Sequence, residues 1–272
     1  MRRAPAAAKI NLALVVGPPG EDGRHEVTTV LQRVDLADRV SIAPAPALTV
    51  TGFADDTLVR KALVSLADAA GVEPRWGARI QKRIPIASGL GGGSSDAATA
   101  LRLANDTLEQ PLATDQLLSI AASLGADVPF FLAPGPQLGE GDGSALTPIE
   151  LPQDFWVLLL IPNDRKKEST ASVYSAFDRR DGWNGYEKRR DALREGLAQV
   201  RRPSDLAALP PNDLAVSPIA ADLRGLGAFR ADVSGAGPCV YGLFEERDQA
   251  LRARRAVRGR GRTWLVVPTW YF

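Results

Sequence analysis

The feature that most limits what this chain can become is the run IPIASGLGGGSSDAA at residues 84–98. Within Gly89–Gly93 only Leu90 is not glycine, two serines follow, and the run lies between a strand-like segment and a helical one. A turn from strand into helix exposes backbone N–H groups that no helical carbonyl can accept. The helix dipole adds partial positive charge at the same end, so the place favours a phosphate. Glycines let the backbone approach the anion and adopt positive φ. Ser94, Ser95 and Asp96 are expected to cap the helix, and the serine hydroxyls to bond phosphate or help hold Mg²⁺. Two familiar phosphate loops are excluded. G-x-x-x-x-G-K-[ST] needs a lysine that does not follow here, and G-x-G-x-x-G is broken at Ser94.

The flanks set the organisation. Residues 78–84 (ARIQKRI) read as a strand with Ala78, Ile80, Lys82 and Ile84 on one face, and a helix is expected from about Ser95 to Asn105. A further helix over 115–124 is stopped by Gly125. Upstream, Ile10, Leu12 and Leu14 alternate with Asn11 and Ala13, then Pro18-Pro19-Gly20 and Asp22-Gly23 mark a hairpin or loop. A helix spans Thr57 to Ala70, with Leu58, Ala62, Leu66 and Ala69 at helical spacing and Gly71 behind it. Proline and glycine become dense over 133–155, and the apolar strand from Phe155 opens a second half. That half holds helices near 169–180 and 187–200, the strand–turn–strand ADVSGAGPCVYGLF and a last strand, TWLVVP. The division therefore falls between residues 152 and 153.

Composition removes several function classes. With 45% hydrophobic and 24% charged residues the chain can bury a sizeable core. A formal charge of +1 gives no global case for binding nucleic acid or an acidic membrane. No apolar run approaches the ~18 residues that a membrane span needs. In MRRAPAAAKINLALVV the apolar run is interrupted by Lys9 and Asn11, which suits a strand better than a leader. One cysteine, Cys239, rules out an internal disulfide and fits a cytoplasmic protein. The arginines from Arg252 to Arg262 alternate with Ala and Val, as on a solvated helix face.

From Pro85, P-x-x-x-G-L-G-G-G-S-S-D-A-A resembles the ATP-phosphate loop of the GHMP kinase superfamily, which has no Walker lysine. Other segments narrow it: AKINLALVV followed by EDGRHEVTTVLQRVDLADRV, then LGADVPFFL, then VSGAGPCVYGLF. Their order resembles that of the 4-diphosphocytidyl-2-C-methyl-D-erythritol kinase family of the non-mevalonate isoprenoid route. The resemblance implies an α+β, two-lobed fold with a cleft between the lobes. A ribosomal-S5-like ATP lobe would cover 1–152 and a ferredoxin-like lobe 153–272, with the last strand returning to the first.

The resemblance also implies the chemistry: ATP and Mg²⁺ as cofactors, and a cytidine diphosphate-linked methylerythritol phosphorylated on its 2-hydroxyl. Lys9 in A-K-I-N-L and Asp127 in G-A-D-V-P match the catalytic pair. Pro85, Gly89, Leu90, Gly91, Gly92, Gly93, Ser94 and Ser95 match the ATP loop, with Thr57 and Lys82 as further ATP contacts. Asn11, Arg24, His25, Thr170 and Tyr174 fall on the substrate side, His25 reading cytosine and Tyr174 stacking on it. No protein metal site is assigned; Mg²⁺ is expected to arrive with ATP, with Ser95 as a candidate donor. A monomer or weak homodimer is expected, with no nucleic-acid or membrane partner.

Four positions depart from the family pattern: Arg24 stands where tyrosine is usual, Thr57 where asparagine is frequent, and Cys239 where a small hydroxyl residue is common. The fourth is Gly141-Asp142-Gly143-Ser144 in place of G-R-G-E. Taken from the residues alone, Lys9 is a strand-end lysine, Asp127 a turn residue, His25 a loop residue and Tyr174 a helix core residue. Alternatives therefore stay open at this level: a GHMP kinase for mevalonate, a sugar or homoserine, or a non-catalytic metabolite sensor on the same fold.

Overall fold

The computed structural model of the chain describes residues 1–21, 23–53, 58–164 and 169–269. Two long strands dominate the first half, β1 (Arg2–Pro19) and β2 (His25–Pro44), paired antiparallel. Ile10, Leu12 and Val15 turn one face of this ribbon to a core, whereas Lys9 and Asn11 lie on the opposite side of the pleat. β3 (Thr49–Thr51), α1 (Leu58–Ala70) and β4 (Trp76–Gln81) follow. The glycine run then leads into α2 (Gly92–Asn105) and α3 (Thr114–Leu124). The hairpin β5 (Gln137–Glu140) and β6 (Ala145–Pro148) completes this half.

The second half runs β7 (Trp156–Pro162), α4 (Thr170–Asp178), α5 (Tyr186–Gln199) and α6 (Pro218–Gly225). It continues through β8 (Arg230–Val233), β9 (Val240–Phe244), α7 (Arg247–Ala256) and β10 (Gly261–Val266) to β11 (Pro268–Thr269). Among the described residues, one sheet has seven strands in the path β3-β4-β2-β5-β6, with β1 and β11 also on β2. The other has four, in the order β10-β7-β9-β8. β11 leaves the four-stranded sheet and pairs Pro268 and Thr269 with Val34 and Arg33 of β2.

Three layers of core follow from these faces. α1 and α2 cover one face of the large sheet, through Val59, Leu63, Leu66 and Leu101 against Val40, Ile42 and Ile80, and α3 packs on these two helices through Ala121. The opposite face of the β1–β2 ribbon packs on Val157, Leu159, Tyr241 and Leu243 of the small sheet. The far side of the small sheet is covered by α6 and α7. The exposed arginines of α7 lie outside this layer, with Ala250 and Ala253 buried beneath, as the arginine–alanine alternation predicts. Among the described residues no helix is long and apolar enough to cross a membrane.

Two local expectations are corrected. α2 starts at Gly92, its N-cap is Gly91 at φ 67°, and no side chain caps it. Ser94, Ser95 and Asp96 therefore lie inside the helix, because a left-handed glycine begins it a turn earlier than the serines would. β4 ends at Gln81, so Lys82 and Ile84 are past the strand. The cause is Asp38: its carboxylate accepts the backbone N–H groups of Arg83 and Ile84, which takes them out of the ladder.

Candidate active site

The cleft is assembled around Lys9. Its backbone N–H donates to the Leu90 carbonyl at 3.0 Å, which ties β1 to the glycine run. Its side chain is only 5% exposed, and an ammonium so buried needs oxygen partners. Nζ donates to Asn11 Oδ1 at 2.7 Å and lies 3.4 Å from Asp127 Oδ2. Asn11 is fixed in turn, its Nδ2 donating to Thr29 Oγ1 at 2.9 Å, and that hydroxyl to the Ala13 carbonyl at 2.8 Å. The ammonium is aimed by a relay across both long strands.

Asp127 stands between two elements that fix the backbone on either side. Gly125 caps the end of α3, and Pro129 opens a short 3-10 turn, Pro129–Phe131, whose two phenylalanines are buried. Arg33 clamps that turn: its guanidinium lies 4.6 Å over the Phe130 ring and donates to the Phe130 and Ala133 carbonyls. The carboxylate itself is 42% exposed, toward the cleft. A fixed backbone with a reachable carboxylate suits a group that must meet a substrate hydroxyl.

The glycine run passes between Lys9 and the second half of the chain. Gly89, at φ 81°, lies so near the β8–β9 turn that an added Cβ would fall 2.1 Å from the Ser234 carbonyl oxygen. A Cβ on Gly91 would stand 3.0 Å from Lys9 Cγ and from the Phe131 ring. Ser234 Oγ donates to the Gly89 carbonyl at 2.9 Å, and the Cys239 N–H to Ser88 O at 3.0 Å. The turn Ser234–Gly237 is carried by Asn212, whose Nδ2 donates to Val233 O at 2.9 Å and Gly235 O at 2.7 Å. The first turn of α2 thus opens on a cleft of about 450 Å³ lined by Lys9, Asn11, Thr29, Gly89, Gly91, Ser94, Asp127 and Gly235.

A second cavity, of about 540 Å³, adjoins it and shares Gly125, Ala126, Asp142, Thr170 and Tyr174. His25 closes its inner side. The Gly17 carbonyl accepts from Nδ1 at 2.7 Å, so that nitrogen carries a proton. Nε2 faces Asp178 Oδ1 at 3.1 Å, a buried oxygen with no hydrogen-bond partner among the described residues. The Tyr174 ring centroid is 5.0 Å from that of His25 and Phe177 meets the same ring edge-on at 5.8 Å. Burial, with the Asp127 charge second, pushes the Tyr174 hydroxyl up to about 12, so it stays a neutral donor.

Known proteins resemble the chain in sequence and in fold. The description "GHMP kinases N terminal domain" matches residues 57–135, and "GHMP kinases C terminal" matches 188–263. A protein of Anaeromyxobacter sp. named 4-diphosphocytidyl-2-C-methyl-D-erythritol kinase is 38% identical over 93% of this chain and 85% of its own length. One of the same name from Geobacter metallireducens is 34% identical over 96% of this chain and 95% of its own. The chain belongs to this family of GHMP kinases. A crystal structure of 4-(cytidine 5'-diphospho)-2C-methyl-D-erythritol kinase superposes with TM-score 0.78 at 30% identity, covering 98% of this chain and 99% of that one. A mevalonate kinase structure also reaches 0.78, at 14% identity, which speaks for the fold alone. The chain is thus a small-molecule kinase with the two-lobed GHMP fold.

Within the kinase, the structure brings Lys9, Asn11, Gly89, Gly91, Ser94, Asp127, Thr170 and Tyr174 to one cleft, with Arg24 and His25 on the adjoining cavity. Gly92 and Gly93 lie in the first turn of α2, behind the cleft lining, and Pro85 precedes it. Leu90 is a core residue that reaches the site only through its carbonyl. Ser95 is turned away: it is buried and lines a separate cavity of about 110 Å³ behind α2. Lys82 lies outside the cleft, held by Asp38 at 2.5 Å and Asp96 at 2.7 Å. Burial lowers its affinity for a proton, but the two aspartates outweigh that and hold it charged above its ordinary range. Thr57 falls outside the described residues. Cys239 is fully buried and its thiol is pushed up to about 12 by burial, so it is no nucleophile. The sequence reading did not single out Thr29, Ser234 or Asn212: the first two lie unmarked within the segments EDGRHEVTTVLQRVDLADRV and VSGAGPCVYGLF, and Asn212 lies in the run Pro-Pro-Asn-Asp at 210–213, which reads as an ordinary turn.

Proposed function

We propose that the chain transfers the γ-phosphoryl group of ATP to the 2-hydroxyl of 4-diphosphocytidyl-2-C-methyl-D-erythritol in the cytoplasm, releasing ADP. The observation that carries this is the Lys9–Asp127 pair, 3.4 Å apart at the mouth of the glycine cradle. Phosphoryl transfer needs positioning and charge neutralisation more than covalent help. The substrate oxygen forms a bond to the γ-phosphorus while the bond to the bridging oxygen of ADP breaks. Asp127 orients the attacking hydroxyl and takes its proton; Lys9 offsets the charge that builds on the transferred group.

The cradle fits a triphosphate. Gly89 and Gly91 hold the backbone where a Cβ would be crowded, and Ser94 lines the same opening at the N-terminal end of α2, where the helix dipole favours an anion. Among the described residues no three His, Cys, Asp or Glu side chains converge on one point. Mg²⁺ would arrive with ATP and would supply further charge neutralisation at the transferred phosphoryl group. On the substrate side, the cytosine enters the cavity between His25, Tyr174 and Arg24, and Thr170 and Asn11 contact the remainder. We place the lobe boundary at 152/153 and take the active unit as a monomer or weak dimer without nucleic-acid partners.

A coupled assay of ADP release from MgATP tests the reading, with the cytidine substrate, mevalonate and homoserine offered separately. Turnover with the cytidine substrate alone is expected. Faster turnover of mevalonate or homoserine would overturn the assignment while leaving the kinase class intact.

A further inference from the structure

Two residues at the rim of the base cavity are far apart in sequence and close in space. Arg24 follows the β1–β2 turn and Asp142 lies in the β5–β6 turn, and Arg24 Nη1 meets Asp142 Oδ2 at 2.7 Å. Both line the cavity that holds His25 and Tyr174, and Asp142 also lines the neighbouring catalytic cleft. The pair therefore spans the opening where the two spaces meet.

An ion pair this exposed adds little to stability, because water and salt screen it and two long side chains lose freedom in forming it. The surroundings of Asp142 are nevertheless built. Its Oδ1 accepts both the N–H of Ser144, at 3.1 Å, and the Ser144 hydroxyl, at 2.6 Å, so only Oδ2 is left to face Arg24. Gly141 and Gly143, at φ 66° and 99°, make the turn that allows this. The Val27 N–H donates to the Gly141 carbonyl at 2.6 Å, which fixes the turn to β2 three residues from Arg24. The Ser144 hydrogen bonds, more than the guanidinium, hold the Asp142 carboxyl below its usual range, so it stays charged.

We propose that Asp142, steadied by Ser144, is a positioning residue that holds the Arg24 guanidinium across the mouth of the His25–Tyr174 cavity as a fixed cationic plane for the incoming pyrimidine base. A guanidinium is planar and stacks on π faces, but on a long side chain it is a usable platform only when tethered. Asp142 is the tether, and the side chain reads the base without touching the transferred phosphoryl group. This inference rests on the cytidine reading of the substrate.

The test is a set of KM values for the cytidine substrate in the wild type and in Arg24→Ala, Asp142→Asn, Arg24→Tyr and Arg24→Tyr/Asp142→Asn, with melting temperature as a control. Asp142→Asn should raise KM for the cytidine substrate about tenfold, nearly as much as Arg24→Ala. Its KM for ATP and its melting temperature should stay close to wild type. A tyrosine ring needs no tether, so Arg24→Tyr should bind well and adding Asp142→Asn to it should change little. An unchanged KM in Asp142→Asn, or an equal rise with and without Arg24→Tyr, would overturn the positioning role. Absence of wild-type turnover with the cytidine substrate would instead defeat the functional reading beneath it.

Discussion

Lys9 is nearly as buried as the isoleucine beside it, and its ammonium is tolerated because Asn11 and Asp127 supply oxygens. Removing one partner of an ion pair costs most where the group left behind is buried: the Asp127 carboxylate is 42% exposed and can turn to water, but the Asn11 Oδ1 would lose its donor. Lys9→Met should therefore lose far more rate than stability. We expect kcat to fall on the order of 10²-fold or more, with stability lowered by about 1–3 kcal/mol. Steady-state kinetics beside a thermal melt checks both. Lys9 and Asn11 were legible as a pair because the two-residue period of a strand puts them on one side. Thr29 was not: its bond to Asn11 crosses between strands and leaves no local trace in the sequence.

At the scale of elements, the glycine run is a shape constraint as much as an anion site. Gly89 and Gly93 make the contrast. A Cβ at Gly89 would strike the Ser234 carbonyl at a positive φ, whereas one at Gly93 meets nothing within 4 Å. Gly89→Ala should destabilise the protein by about 1–3 kcal/mol and raise KM for ATP. Gly93→Ala, in the first turn of α2, should stabilise by up to about 1 kcal/mol. Urea titrations of both variants measure this. The strand–glycine–helix order could be read from the sequence, but where the helix begins could not. Serine and aspartate ordinarily cap helices, and here tertiary demands override that habit: Asp96 is drawn down to Lys82 and Ser95 into a neighbouring cavity. The same demands explain Lys82. The family resemblance placed it among the ATP contacts, yet Asp38 and Asp96 hold it outside the cleft.

Over the whole molecule, the site exists because the second half of the chain clasps the first. The β8–β9 turn grips the glycine run through Ser234 and Cys239, and Asn212 holds that turn against the end of β1. Asn212→Ala would leave the Val233 and Gly235 carbonyls and the Leu214 N–H without their partner. A cost of about 2–4 kcal/mol is expected from such buried orphans, with a rise in KM for ATP, measured by denaturation and by ATP titration of the rate. Local patterns gave the order of elements and the two halves, since hydrophobic periodicity and glycine punctuation act locally. They gave neither Asn212 nor the register of β11 on β2, because those depend on contacts between residues more than two hundred positions apart or on an unremarkable turn.

The central claim is that Asp127 orients and deprotonates the acceptor hydroxyl beside Lys9. It is tested most directly by single-turnover phosphoryl transfer in Asp127→Asn, with enzyme in excess over the cytidine substrate and MgATP saturating. The account predicts a rate lower by on the order of 10²-fold or more, with ATP affinity and melting temperature near wild type. A rate within a few-fold of wild type would contradict it.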